Sequence, residues 1–195
     1  RRIGHYAYLK PGLGISGGNL ERDLATVIQL STINETNAEV VKSCIADSAY
    51  RKDWVFRKLC ETILSSRTTT NLALLGLAYK EGTSSIKNSA AIALLTMLAT
   101  SDRYHRITVY DPIVKIEDTS IENVLSAETA LQACQDALVL AVMTLWPEFR
   151  LITPNEIASV MKGKLVIDPY GLFDSDECAI AGMRHLSLGR PPVPW

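Results

Sequence analysis

Leu72-Ala73-Leu74-Leu75-Gly76-Leu77-Ala78-Tyr79-Lys80-Glu81-Gly82-Thr83-Ser84-Ser85-Ile86-Lys87-Asn88-Ser89 is the stretch that decides the fold. Leu72 to Leu77 is apolar except for Gly76, the pattern of a strand buried on both faces. A polar loop with Lys80, Thr83 and Lys87 follows, and Asn88 to Thr100 reads as a strongly apolar helix. Cations, a hydroxyl and helix N–H groups then meet at a strand's carboxyl end, an arrangement that suits phosphate. The loop is neither a P-loop nor a G-x-G-x-x-G fingerprint. Two readings fit it: anion binding, or lysines solvated at the surface.

Downstream, strand and helix patterns alternate. Ile107 to Tyr110 reads as a strand ending in Asp111-Pro112, Ser126 to Cys134 as a helix, and Ala137 to Val142 as an apolar strand. Pro154 to Met161 reads as a helix capped by Thr153, with Pro at its first position. Leu165 to Ile167 is a strand ending at Asp168. Such alternation predicts a parallel α/β sheet with ligands beyond the carboxyl ends of its strands. There lie Asp111, which faces a ribose or makes a turn, and Trp146-Pro147-Glu148-Phe149, an aromatic pair that stacks on a base or packs in the core.

Upstream, Lys10-Pro11-Gly12-Leu13-Gly14-Ile15-Ser16-Gly17-Gly18-Asn19 is a Gly-rich loop. From about Asp23 to Ser66 the pattern is helical: Leu24, Val27, Ile28 and Ser31 share one face, Val40, Val41, Cys44 and Ile45 another, and Trp54, Leu59, Ile63 and Leu64 belong to a third stretch. The period changes at the polar connector Ser65 to Asn71. This predicts a helical region over residues 1–70 and an α/β domain over residues 71–195.

Composition narrows the class. The 195 residues are 47% hydrophobic and 21% charged, an ordinary globular balance with net charge −1. No global charge directs the chain to nucleic acid or an anionic membrane, so any anion site must be local. The longest apolar run, Ala137 to Met143, is too short to span a bilayer, and no signal-peptide pattern opens the chain; a cytoplasmic protein is expected. The chain opens Arg1-Arg2 without Met, as part of a longer polypeptide would. Cys44, Cys60, Cys134 and Cys178 form no C-x-x-C pair and only three His are present, so no metal site is expected and four buried thiols are.

In order along the chain, these stretches resemble the UDP-glucose/GDP-mannose dehydrogenase family. Leu75 to Ser89 is similar to the family's L-G-L-A-F-K-x-x-T-D-D-I-R-E-S, and Val109 to Pro112 to its V-Y-D-P. Asp136 to Phe149 also matches, Val166 to Asp174 resembles V-x-D-x-R-N, and Tyr8 to Asp23 echoes F-L-K-P-G-x-G-F-G-G-x-C-L-P-K-D. The resemblance implies a helical dimerisation arm followed by a Rossmann-like, mostly parallel sheet domain that binds a UDP- or GDP-hexose. It implies C6 oxidation of that sugar from alcohol to carboxylate with two NAD⁺, through a cysteine thiohemiacetal, in the service of polysaccharide biosynthesis. It places Lys10, Gly12, Gly14, Gly17, Tyr79, Lys80, Thr83, Lys87 and Trp146 at the nucleotide sugar, and Asp23 at the family's catalytic Asp.

The departures are specific. Asn19 stands at the cysteine position and has no thiolate. Lys87 stands for Arg, Ser84-Ser85 for an acidic pair, Leu145 for the Glu before Trp146, and Pro169-Tyr170-Gly171 replaces a segment holding a substrate-binding Arg. No other cysteine neighbours the Gly-rich loop in sequence, and Cys44 reaches it only if the helical arm folds back. Two readings follow. One is the substrate-binding portion of an oxidoreductase, atypical or inactive in the four-electron reaction, with NAD bound elsewhere in the full-length protein and not by this chain. The other is a non-catalytic module, derived from the family, for nucleotide-sugar binding or assembly.

Overall fold

The structure, a computed structural model, describes residues 12–63, 70–99 and 104–191. Lys10, expected in the site, lies outside them.

Three helices precede the sheet: α1 (Asn19–Ile33), α2 (Glu39–Lys52) and α3 (Trp54–Ile63). The short turn after α1 lets α2 pack back against it. Their mutual contact buries little. Ser31 and Ser48 are the buried residues of the two helices, while Val27, Leu30, Ile33, Val40 and Tyr50 are exposed. α3 differs: its Val55 and Leu59 have no exposed surface and belong to the same core as the sheet. Leu13 of the Gly-rich loop enters that core too. Packing therefore continues across the period change at residue 70.

The sheet has six parallel strands in the order β3-β2-β1-β4-β5-β6: β1 (Thr70–Leu75), β2 (Tyr104–Tyr110), β3 (Leu125–Ser126), β4 (Val139–Val142), β5 (Leu165–Ile167) and β6 (Arg184–Leu186). β1 and β4 are central and buried along their lengths, as their apolar runs require. Helices α4 (Ala90–Ala99), α5 (Ala130–Cys134), α6 (Pro154–Val160) and α7 (Ser175–Ile180) connect them. α4 buries Leu94, Leu95 and Leu98. Each such leucine contributes about 1.5–3 kcal/mol relative to exposure.

Local chemistry sets the boundaries. Thr153 and Glu156 form a reciprocal capping box on α6, and those hydrogen bonds hold the Glu156 carboxyl below its ordinary range. Asp174 caps α7 by accepting from the Asp176 and Glu177 amides. The helix expected from Ser126 begins only at Ala130, because Thr129 accepts the Gln132 amide as its cap and Ser126 is spent pairing with Val109 in β3. The helix expected from Asn88 begins at Ala90: Asn88 has φ +55°, and the Ser89 hydroxyl accepts the Ala91 amide. α7 and β6 were not evident in the sequence pattern.

The expectation of four buried thiols fails. Cys134 and Cys178 are buried, and burial pushes both up to about 12, but Cys60 is half-buried and Cys44 exposed. α2 buries only Ser48, and Cys44, one turn before it on the same face, stays exposed.

Where the central strands end, one carboxylate holds the chain together. Asp111 Oδ2 accepts from the Leu77 amide (2.7 Å), the Ala78 amide (3.0 Å) and the Trp146 indole Nε1–H (2.9 Å). Its Oδ1 accepts from the Ile113 and Val114 amides at 2.9 and 2.8 Å. The ribose-facing alternative is thereby excluded: Asp111 is buried and its lone pairs serve the fold. An amide at this position must turn its NH₂ toward either three donors or two. Asp111→Asn is therefore expected to lower stability by about 2–4 kcal/mol, since each buried donor left unpaired costs about 1–3 kcal/mol. Urea unfolding should show a lower midpoint at unchanged slope. A midpoint equal to that of the unsubstituted chain would refute this role.

Candidate functional site

In a sheet of order 3-2-1-4-5-6, connections leave β1 toward one edge and β4 toward the other, so a crevice opens between their carboxyl ends. A cleft of about 580 Å³ lies there. Its walls are the segments that follow four strands: Tyr79–Glu81 after β1, Met143–Leu145 after β4, Pro169 and Tyr170 after β5, and Ser187, Leu188 and Arg190 after β6. Gly12–Gly14 and Ser16 of the Gly-rich loop complete it.

Each wall is fixed by identifiable bonds. β1 ends because Gly76 turns with φ +94° and packs against Thr144, leaving no room for a Cβ. Thr144 donates its hydroxyl to the Ala78 carbonyl (2.6 Å), and Ser89 donates to the Leu77 carbonyl (2.7 Å). The Tyr79 amide donates to the Ser85 carbonyl at 3.0 Å and closes the loop bearing Lys80. The Tyr170 hydroxyl donates to the Met143 carbonyl (3.2 Å), and burial raises its pKa well above the ordinary phenol range, so it remains a donor. Behind it, fully buried Asp168 accepts from the Tyr170 and Phe173 amides and lies 3.2 Å from His185 Nε2.

The Gly-rich loop is tied to both sides. Ser16 donates to the Tyr79 carbonyl, the Gly17 amide to the Lys87 carbonyl (3.0 Å), and the Asn88 side-chain amide to the Ile15 carbonyl. The Ile15 amide donates to Ser48 Oγ of α2 at 2.7 Å. Lys52 of α2 bonds Asn88, and burial lowers the lysine's pKa against the opposing field of Glu21. Gly17 has φ +76°, and a Cβ there would meet the Tyr79 ring at 2.8 Å. Only glycine allows this approach without strain.

The residues singled out in the sequence divide. Gly12, Gly14, Tyr79 and Lys80 line the cleft, and Gly17 supports it through the Tyr79 ring. Thr83 does not line it: its hydroxyl accepts the Ser85 amide in a local turn. Nor does Lys87, whose side chain lies over Gly18. Trp146 is 6% exposed with its N–H spent on Asp111, and Phe149 is fully buried, so the aromatic pair packs in the core and offers no stacking face. Asn19 is exposed at the start of α1, and Asp23 is exposed and ion-paired to Arg22 at 3.1 Å; neither lines the cleft. Arg190, the second cation of the cleft, and the walls at Met143, Tyr170 and Ser187 were missed. The rule that ligands sit past strand carboxyl ends would have found Met143 and Tyr170, which follow legible strands.

Cys44 is a correction. The arm does fold back, and a neighbouring cleft of about 650 Å³ holds Cys44, Asp47 and Arg51 of α2 against Gly12, Gly14 and Ser16.

At the turn after β1 the Leu77 and Ala78 amides are bonded to Asp111, and α4 starts only at Ala90. No cluster of three or more His, Cys, Asp or Glu side chains fit for a metal ion occurs among the described residues. Nor is any helix among them long and apolar enough to cross a membrane.

Comparison with known proteins agrees with this geometry. The chain is 30% identical to UDP-glucose 6-dehydrogenase of Rhizobium meliloti (strain 1021) over 191 residues, 97% of this chain and 43% of that protein. It is 27% identical to UDP-glucose 6-dehydrogenase of Rickettsia prowazekii (strain Madrid E), covering 97% of this chain and 44% of the relative. It thus spans less than half the length of these relatives. Among solved structures, UDP-D-ManNAc dehydrogenase from Pyrococcus horikoshii superposes with TM-score 0.75 at 19% identity, over 96% of this chain and 42% of the other. A UDP-glucose dehydrogenase from Pyrobaculum islandicum gives 0.67 at 21% identity, over 80% and 34%. Residues 73–175 match the profile of the UDP-glucose/GDP-mannose dehydrogenase family's UDP binding domain, and the chain belongs to that family.

Proposed function

We propose that the cleft past β1, β4, β5 and β6 binds a nucleoside diphosphate hexose, UDP- or GDP-linked. The chain is then the substrate-binding portion of a nucleotide-sugar oxidoreductase whose NAD is held by residues outside this chain. The observation that carries the reading is the placement of Lys80 and Arg190 in one cleft at the topological switch point, in a chain of this family. Two cations against the single carboxylate Glu81 give that cleft the charge a diphosphate needs. The exposed apolar side chains Leu20, Val27, Leu30, Ile33 and Val40 suit α1 and α2 to pairing with a second copy, as a dimerisation arm.

Lys80 is exposed in the free chain, so its removal leaves the fold intact and takes away one charge-assisted contact. Losing such a contact costs about 1.5–3 kcal/mol. Lys80→Ala is therefore expected to weaken UDP-glucose or GDP-mannose binding by about tenfold or more in calorimetric titration. Unchanged affinity for both would reject the assignment.

Within this reading, the chain does not complete the four-electron oxidation. Asn19 carries no thiol, and Asp23, paired to Arg22, does not line the cleft. The same pair of features favours the second reading, a nucleotide-sugar-binding or assembly module without turnover. Nucleophilic capture and positioning of the cofactor are each worth several powers of ten in rate. The expected outcome for the purified chain with UDP-glucose and excess NAD⁺ is no NADH at 340 nm and no glucuronate by mass analysis. Stoichiometric glucuronate would overturn this, and its loss in Cys44→Ser would then assign the thiol of the neighbouring cleft.

A further inference from the structure

A third cleft, of about 410 Å³, opens between α3 and the edge of the sheet. It arises from the two faces of α3. Val55 and Leu59 point into the core with no exposed surface, and Trp54, Lys58 and Glu61, spaced four and three residues apart, share the adjoining flank, with Trp54 partly packed against that core. That side faces β6, the last strand of the sheet, and the segment after it: Arg184, Ser187 and Arg190 line the other wall.

The charges of this cleft do not balance. Lys58 and Glu61 neutralise each other in an ion pair at 2.6 Å. Arg184 and Arg190 remain, and neither side chain makes a hydrogen bond or ion pair to a described residue. Arg184 is half-buried on its strand, and the charge of Arg190 is felt by Asp174, an exposed carboxylate that does not line the cleft. Two guanidinium groups lining one cleft offer forked donors that fit phosphate oxygens. Trp54, half-buried, supplies an indole surface to the same space. Such a surface favours a flat ring. A volume of this size has room for a ring and a phosphate.

We propose that this cleft is a second binding site, for a phosphate monoester carried on a flat ring. It is distinct from the nucleotide cleft but abuts it, because Ser187 and Arg190 line both. Arg190 therefore sets a limit: when its guanidinium holds a phosphate on one side it is withdrawn from the other, so occupancy of the two clefts opposes. The proposal stands on Trp54, Arg184 and Arg190 and does not require that the larger cleft take a nucleotide sugar.

Phenyl phosphate is a suitable probe, with inorganic phosphate and phenol as its two halves. Titrations of the ¹⁵N-labelled chain are expected to shift the Trp54 indole N–H and the Arg184 and Ser187 amides. Phenyl phosphate should bind at least about tenfold more tightly than either half, since ring and phosphate contacts are made together. Arg184→Gln should weaken it by about tenfold or more. Arg190→Gln, at an exposed position beyond the last strand, should do the same; because Arg190 lines both clefts, that loss counts for this one only alongside unchanged affinity in Lys80→Ala. Lys80→Ala should leave phenyl phosphate affinity unchanged, which separates this cleft from the other. Equal affinity for inorganic phosphate, shifts confined to Tyr79–Glu81, or full affinity in both arginine variants would overturn the proposal.

Discussion

Five donors converge on the carboxylate of Asp111 at the point where the central strands end. The carboxyl ends of parallel strands leave backbone N–H groups without ladder partners, and buried donors must be paired. Asp111 pairs those of Leu77 and Ala78 after β1 and those of Ile113 and Val114 after β2, and it takes the indole of Trp146 after β4. One side chain thereby ties three neighbouring strands. The path of the Lys80 loop follows from it, since Tyr79 leaves the sheet directly after the two tethered amides. The same bonds occupy the N–H groups of the turn after β1.

A second constraint couples the arm to the sheet. The Gly-rich loop forms one wall of the cleft, yet it is held by Ser48 of α2 as well as by Tyr79, Lys87 and Asn88 of the sheet domain, and Lys52 of α2 in turn bonds Asn88. Leu13 and α3 anchor the same region in the core. Movement of the arm, including any that accompanies pairing of two copies, therefore reaches the cleft through short bonds.

Legibility in the sequence followed burial. β1, β4 and β5 were visible because strands covered on both faces are continuous apolar runs. β3 is two exposed residues, and β6 reads Arg184-His185-Leu186; with a single leucine each, no apolar run marks either. His185 is buried only because Asp168 and Ser175 bond its ring, and neither partner is adjacent in sequence. Missing β6 hid Ser187 and Arg190, and with them one wall of the nucleotide cleft and of the cleft beside α3. The residues misplaced in the sequence reading share one cause. Trp146, Thr83 and Lys87 sit in family motifs near strand ends, but hydrogen bonding and packing turn them inward or along the backbone: Trp146 to Asp111, Thr83 to Ser85, Lys87 over Gly18. Motif position marks the loops, while the direction of each side chain depends on its bonding partner, two residues away for Thr83 and distant in the chain for Trp146 and Lys87.

The central claim is that the crevice between the carboxyl ends of β1 and β4 is where a nucleoside diphosphate is held. Amide hydrogen exchange of the chain alone and with saturating UDP or GDP, each in turn, tests it most directly. The account predicts slowed exchange at Tyr79–Glu81, Met143–Leu145, Tyr170 and Ser187–Arg190, with Gly12–Ser16 following and the β3 edge unchanged. Unaltered exchange at all four strand ends, or protection confined to the exposed arm helices, would contradict it.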